Sequence, residues 1–156
     1  MPDGPRYDDD FYAWTRYQAE VLRTLRTRDN RFDRENVAEE IETVGRNERD
    51  SIRSHVRRIL EHLLELAYSP AGNPRYGWMR SVIEARGSLD DKLSASLRRD
   101  VEEKLPTLYE DARESAELAL REYGEHAAAD ALPMTCPYTL DQVLQRRWYP
   151  EPEERK

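Results

Sequence analysis

Cysteine, histidine, glycine and phenylalanine are all scarce in this 156-residue chain, which holds one, three, six and two of them. The lone Cys136 rules out an internal disulfide. No apolar run approaches the roughly 18 residues that a helix needs to cross a bilayer, which excludes a helical membrane span. The opening MPDGPRYDDD lacks the apolar segment of a secretion signal, so residence in the cytoplasm is expected. Positive charge is also in deficit. With 32 acidic against 25 basic residues and a net charge of -7, the chain lacks the basic field that broad nucleic-acid binding requires. No segment alternates as a strand would, and no internal repeat is visible.

What is present is charge arranged around apolar residues at helical spacing. The chain is 37% charged with a mean hydropathy of -0.97, yet its apolar residues recur every three or four positions instead of being diluted, which separates it from a disordered polymer. The length predicts a single domain over 1–150, burying about 70% of the unfolded surface. A loose leader (1–6) opens it and a mobile tail (151–156) follows it.

The spacing predicts an all-α helical bundle with one long central helix, three further main helices and a short C-terminal one. Helix one is expected from about Asp9 to Thr27, with Phe11, Trp14, Val21, Leu22 and Leu25 as its buried stripe. Asp33 can cap the long helix, whose apolar positions Val37, Ile41, Val44, Ile52, Val56, Ile59 and Leu63 lead to Tyr68. An element of that length spans roughly 50 Å, so it is the spine of the fold or bends, with Gly45 as the weakest point. Asn73 and Pro74 read as the cap and first residue of a third helix carrying Met79, Val82, Ile83, Leu89 and Leu93. A fourth carries Leu97, Val101, Leu105, Leu108, Ala112 and Ala119, with a kink or break expected at Pro106 and an end at Gly124. After an irregular connection through Pro133, Cys136 and Pro137, Thr139 and Gln142 stand at capping-box spacing before Leu140, Val143 and Leu144.

Three segments together resemble the bacterial family known as domain of unknown function twenty-nine: YDDDFYAWTRYQ at Tyr7 to Gln18, NVAEEIETVGRNER at Asn36 to Arg49, and CPYTLDQVL at Cys136 to Leu144. Asp10, Trp14, Asn36, Glu39, Glu40, Gly45, Arg46, Cys136, Pro137 and Tyr138 carry the motifs, with weaker echoes at Leu60 to Leu64, Trp78, Ile83, Arg86, Tyr109 and Ala112. The likeness covers nearly the whole chain. It implies an all-helical fold and supplies no activity. The sequence departs at Ala85, where the family tends to place a Gln, and at Arg146 and Arg147 before Trp148.

Several side-chain patterns invite a functional reading, each beside a structural one. Glu35, Glu39, Glu42, Arg46, Arg49, Arg53 and Arg57 share one stripe of the long helix. Structurally, Glu42 pairs with Arg46 four residues on; functionally, the Arg46, Arg49, Arg53 and Arg57 run suits an acidic partner, a phosphate or a short nucleic acid. Glu48, His55 and His62 recur every seven residues. They are about 10 Å apart along the axis, too far for one ion to touch two of them, and no Glu-x-x-His motif accompanies them. No metal or cofactor is expected. Glu39 and Glu40 are adjacent and diverge, so they form no carboxylate pair. Cys136 precedes a helix start that could activate a thiol, but no histidine is near it in sequence. Tyr7, Tyr12, Trp14 and Tyr17 crowd helix one, leaving some for a partner unless Trp148 and Tyr149 fold back over them.

The absence of a nucleophile, base and oxyanion set leans away from an enzyme and towards a non-enzymatic interaction or regulatory module, antitoxin-like in type, whose partner is another protein; a homo-oligomer stays open. The alternative is an enzyme with an interhelical polar site built from Glu48, His55 or His62 with Asp10, Glu40 and Tyr138, with or without a metal.

Overall fold

A computed structural model describes residues 4–153. The first three residues of the expected leader and the last three of the expected tail lie outside the described residues. The described residues contain six helices and no strand: α1 (Phe11–Thr24), α2 (Arg34–Tyr68), α3 (Arg75–Asp90), α4 (Ala95–Glu122), α5 (His126–Asp130) and α6 (Leu140–Leu144). They gather into two compact units, one comprising the chain up to Ile52 with Leu93–Asp100, the other Arg53–Lys92 with the chain from Val101 onward. Helices α2 and α4 each run through both.

In the first unit, Asp10 caps α1 by accepting from the Ala13 backbone N–H at 3.0 Å, and it also accepts from Ser96 N (2.9 Å) and Ser96 Oγ (2.6 Å). The buried residues of α1 are Tyr12, Thr15 and Ala19. This differs from the expected stripe: Val21 and Leu25 are exposed, and Phe11, Trp14 and Leu22 are half-buried. The first half of α2 departs in the same way. Val37 and Val44 are exposed, while Ala38, Gly45 and Ile52, one heptad apart, are buried. Small residues have taken the contact because they let the backbones approach closely. A Cβ added to Gly45 would lie 3.0 Å from Thr15 Cβ and closer still to Thr15 Oγ1. That hydroxyl donates to the Tyr12 carbonyl at 2.7 Å, so moving it aside would break the bond. Gly45 therefore admits α1; helix α2 is continuous through it.

In the second unit the later half of α2 buries Val56, Ile59, Leu60, Leu63, Leu64 and Leu66 as expected of a core helix. Val82, Ala85 and Leu89 of α3, Val101, Leu108, Tyr109, Ala112, Ala116 and Leu120 of α4, and Leu140 and Val143 of α6 complete that core. Helix α4 is not broken at Pro106. Pro106 and Glu102, whose carbonyl loses its donor, are both exposed, so water can take the freed acceptor. The end of α4 is a Schellman motif: Gly124 has φ 76°, its N–H reaches the Arg121 carbonyl at 3.0 Å, and Glu125 N–H reaches Leu120 at 2.8 Å. Helix α3 begins one residue later than expected, with Pro74 as its cap and no side-chain bond from Asn73. The short α5 was not foreseen. The capping box at Thr139 and Gln142 is formed in full.

Gly45→Ala is expected to destabilise the protein by about 1–3 kcal/mol through overpacking, despite a gain in helix propensity of about 1 kcal/mol. Urea midpoints would measure it, and the loss should shrink when Thr15→Ala is already present. Equal losses in both backgrounds would show that close approach is not what requires glycine.

Candidate functional site

The chain reverses between α1 and α2, so Thr15 lies beside Gly45 while Arg23 lies beside Glu39 and Glu42. Numbers rise along one helix as they fall along the other, which makes the pair antiparallel. In an antiparallel pair, residues displaced in the same rotational sense from the seam fall on the same side of both helices. The two sides of this pair differ sharply in chemistry.

One side is ionic. Arg23 donates to Glu42 through both amino groups (2.7 and 3.1 Å) and reaches Glu39 at 3.4 Å. Arg46 donates to Glu39 at 2.7 Å, to Thr43 at 2.8 Å, and lies 3.5 Å from Glu42. The hydrogen bond from Arg23 holds the Glu42 carboxyl below its usual range, and the bond to Glu39 raises Arg46. The expected Glu42 and Arg46 pair is thus one edge of a network joining two helices. Arg16, Arg23, Glu20, Glu42 and Tyr17 line a cleft of about 500 Å³ on this side.

The other side is mainly apolar. At about 100° per residue, Phe11, Trp14, Gln18, Val21, Leu22 and Leu25 occupy a sector of α1 about 100° wide, next to the buried one. Val37, Ile41, Val44 and the half-buried Glu48 form the adjoining stripe of α2. At its end Tyr7, 57% exposed, meets Trp14 edge-on at 4.9 Å and Phe11 at 5.3 Å, and those two stack at 5.9 Å. Of the three tyrosines offered as partner contacts, Tyr7 alone lies on this face. Tyr12 is buried in the seam, with the Arg16 guanidinium over its ring at 5.7 Å. Tyr17 is exposed on the ionic side, where the Gly4 backbone packs so closely that a Cβ there would overlap its ring.

The remaining candidates fall as follows. Arg49 pairs with its neighbour Asp50 at 3.0 Å, and Arg53 also has a partner. Arg57 lines a polar cleft of about 470 Å³ with Ser54, Arg58, Glu61, Asp111, Glu114 and Ser115. Asn36 donates to Asp33 at 2.7 Å, securing the start of α2, and Glu40 is exposed. Glu48, His55 and His62 are each half-buried. Among the described residues no three His, Cys, Asp or Glu side chains gather to hold a metal. His62 Nδ1 lies 3.5 Å from Glu65, and His55 Nδ1 is buried with no hydrogen-bond partner among the described residues.

Burial would raise Asp10, but bonds from the Ser96 hydroxyl, Ala13 N–H and Ser96 N–H outweigh it and keep the carboxyl ionised as a cap. Cys136 is half-buried and donates to the Tyr138 carbonyl at 3.3 Å; burial pushes its thiol up, away from the thiolate a nucleophile needs. Pro137 is exposed, and the buried Tyr138 donates its hydroxyl to the Leu63 carbonyl at 3.3 Å.

Arg86 was read from the sequence only as an echo of a family motif. It is 2% exposed, and its guanidinium donates to the carbonyls of Val143 (2.9 Å), Gln142 (3.1 Å) and Trp148 (2.8 Å). The Gln142 and Val143 carbonyls are acceptors that the end of α6 leaves open, and Trp148 lies in the segment after it. Arg86→Met is expected to cost about 2–4 kcal/mol in urea unfolding, since it leaves buried carbonyls without donors, and Arg86→Lys should recover little because one ammonium cannot span three acceptors. Full recovery by lysine would contradict the fork geometry.

Burial, with Arg58 and Lys92 adding repulsion, lowers the His55 pKa from its ordinary value of 6.5. The unfolded chain therefore takes up this proton at higher pH than the folded one. The stability it confers is complete above about pH 6.5 and is lost as pH falls towards the folded value. The urea midpoint of the native chain should drop between pH 7 and pH 5 more than that of His55→Gln, and parallel pH profiles would refute this.

None of the curated proteins matches the chain. Among solved structures it is similar to the crystal structure of an alpha-helical protein of unknown function from Rhodospirillum rubrum, with 25% identity and a TM-score of 0.80 over 94% of this chain and 93% of that one. The model of the family described as "Domain of unknown function DUF29" matches residues 6–149, and the chain belongs to that family.

Proposed function

We propose that the chain is a non-enzymatic, cytoplasmic protein-interaction module that docks through the mainly apolar side of the α1 and α2 pair. The observation that carries this reading is the placement of Val21, Leu25, Val37 and Val44 in solvent on one side of two helices, with the Tyr7, Phe11 and Trp14 cluster at its end. Monomeric soluble proteins seldom expose contiguous apolar patches beyond a few hundred Å², and larger ones commonly mark binding surfaces. Aromatic residues beside exposed aliphatic ones match the composition of protein interfaces.

The arginine run of α2 supports docking less well. Arg46 and Arg49 are already paired within the chain, and a partner would have to displace Glu39, Glu42 or Asp50 to reach them.

A photo-crosslinking phenylalanine analogue placed at Val21 in the native host tests the reading, with the same probe at Glu20 on the ionic side as control. A discrete protein adduct from position 21 and none from position 20 is the expected result. No protein adduct from position 21 or from position 44 would defeat the proposal.

A further inference from the structure

We infer that the cavity between α3 and the segment after α6 binds a small organic acid, whose carboxylate meets Arg147 and the unmatched charge of Arg86 while its apolar part lies on Ile83 and over Gly87. All of these residues belong to the second unit, apart from the α1 and α2 face, so the two proposals stand or fall separately.

Arg86 is a buried cation without an anion. It is 2% exposed, and its three hydrogen bonds all run to neutral carbonyls. Asp90, one turn along α3, is taken by Arg146, and no other carboxylate among the described residues pairs with Arg86. The Tyr149 ring, 5.5 Å from the guanidinium, adds only a cation–π attraction. Burial accordingly pulls the Arg86 pKa below its ordinary value, with Tyr149 opposing it. Three of the five guanidinium N–H groups are engaged, which leaves two. Buried charges in proteins are ordinarily paired, and here the carbonyls satisfy hydrogen bonds while the charge stays unmatched.

The space beside it suits an anion of limited size. Ile83, Arg86 and Gly87 of α3, with Arg146 and Arg147, line about 270 Å³. That is room for about nine waters at about 30 Å³ each, enough for a small acid and too little for a peptide segment. Ile83 is 58% exposed there, and a Cβ added at Gly87 would meet nothing within 4 Å. Glycine weakens a helix interior relative to alanine, and no packing contact of α3 calls for it at this position.

The second cation is Arg147. It is exposed, has no hydrogen bond or ion pair among the described residues, and is the one non-glycine among them with a positive φ, 63°. An arginine gains nothing locally from that left-handed backbone, and strain of this kind gathers at ligand sites. An anion in the cavity offsets the Arg86 charge and gives Arg147 a planar, bidentate partner that matches its fork. Phosphate would supply the charge but cover none of Ile83, whereas an acid with a short hydrocarbon tail does both.

Titration of the nitrogen-15-labelled native chain with hexanoate, followed through amide and arginine Nε–H resonances, is the test. Saturable shifts at the Gly87 N–H and the Arg86 Nε–H are the expected result, with a Kd in the millimolar range set by a ligand of about eight non-hydrogen atoms. Hexanol should bind at least tenfold more weakly for want of charge, and inorganic phosphate likewise for want of an apolar part. Arg147→Gly should weaken hexanoate at least fivefold while raising the urea midpoint, since glycine adopts φ 63° without strain. Gly87→Leu should fill the cavity and abolish binding while the circular-dichroism spectrum stays helical. The absence of saturable shifts at these groups overturns the inference, as does hexanoate binding that survives both substitutions, or phosphate bound as tightly as hexanoate.

Discussion

The contact that the first unit depends on is the close approach of α1 to α2 at Thr15 and Gly45. Backbones can come that near only where side chains are small, so Thr15 and Ala19 on one helix and Ala38 and Gly45 on the other form the close contact, with Tyr12 buried beside it. That choice fixes the rotation of both helices. It turns Arg23 towards Glu42 on one flank and leaves Val21, Leu25, Val37 and Val44 in solvent on the other. The ionic network then resists rotation, because turning α1 by one residue would separate Arg23 from both carboxylates.

The second unit is held in a different way. Its core is built from large aliphatic residues on the later half of α2 and on α3, α4 and α6, and its irregular connections are fastened by polar groups that point inward. Arg86 collects two carbonyls at the end of α6 and that of Trp148 beyond it, while Tyr109 and Arg113 converge on the single carbonyl of Pro133 at 2.5 and 3.0 Å. Burial raises Tyr138 and Cys136, and pushes Tyr109 up to about 12. These groups rest protonated and neutral near pH 7. They serve as hydrogen-bond donors to the backbone, Tyr109 and Cys136 to carbonyls of the irregular connection and Tyr138 to Leu63 of α2.

Family membership and the similarity to a helical protein of unknown function place the fold and leave the activity open. The chemistry of the surface carries the functional argument instead. The family motifs are spent largely on architecture: Asp10 caps α1 and ties down Ser96, Gly45 admits α1, and Glu39 and Arg46 close the ionic network. Trp14 is different. It belongs to a motif, yet it stands half-exposed beside Tyr7 and Phe11, on the side that faces solvent.

The amino-acid sequence by itself determined the helical class, the long span of α2, the Schellman end at Gly124 and the capping box at Thr139. Each of those depends on residues within a few positions of one another, and local physics is written locally. Pro106 was misjudged because its cost depends on whether the Glu102 carbonyl can reach water, which is a matter of burial. The buried face of α1 was misassigned for a related reason. Apolar periodicity marks a stripe that can be buried, and it carries no information on which of two adjacent stripes, one large and apolar and one small, a neighbouring helix will choose. Tertiary structure decided that in favour of the small one, because close backbone contact and the Arg23, Glu39, Glu42 and Arg46 network were available only there, and the apolar stripe was left facing out.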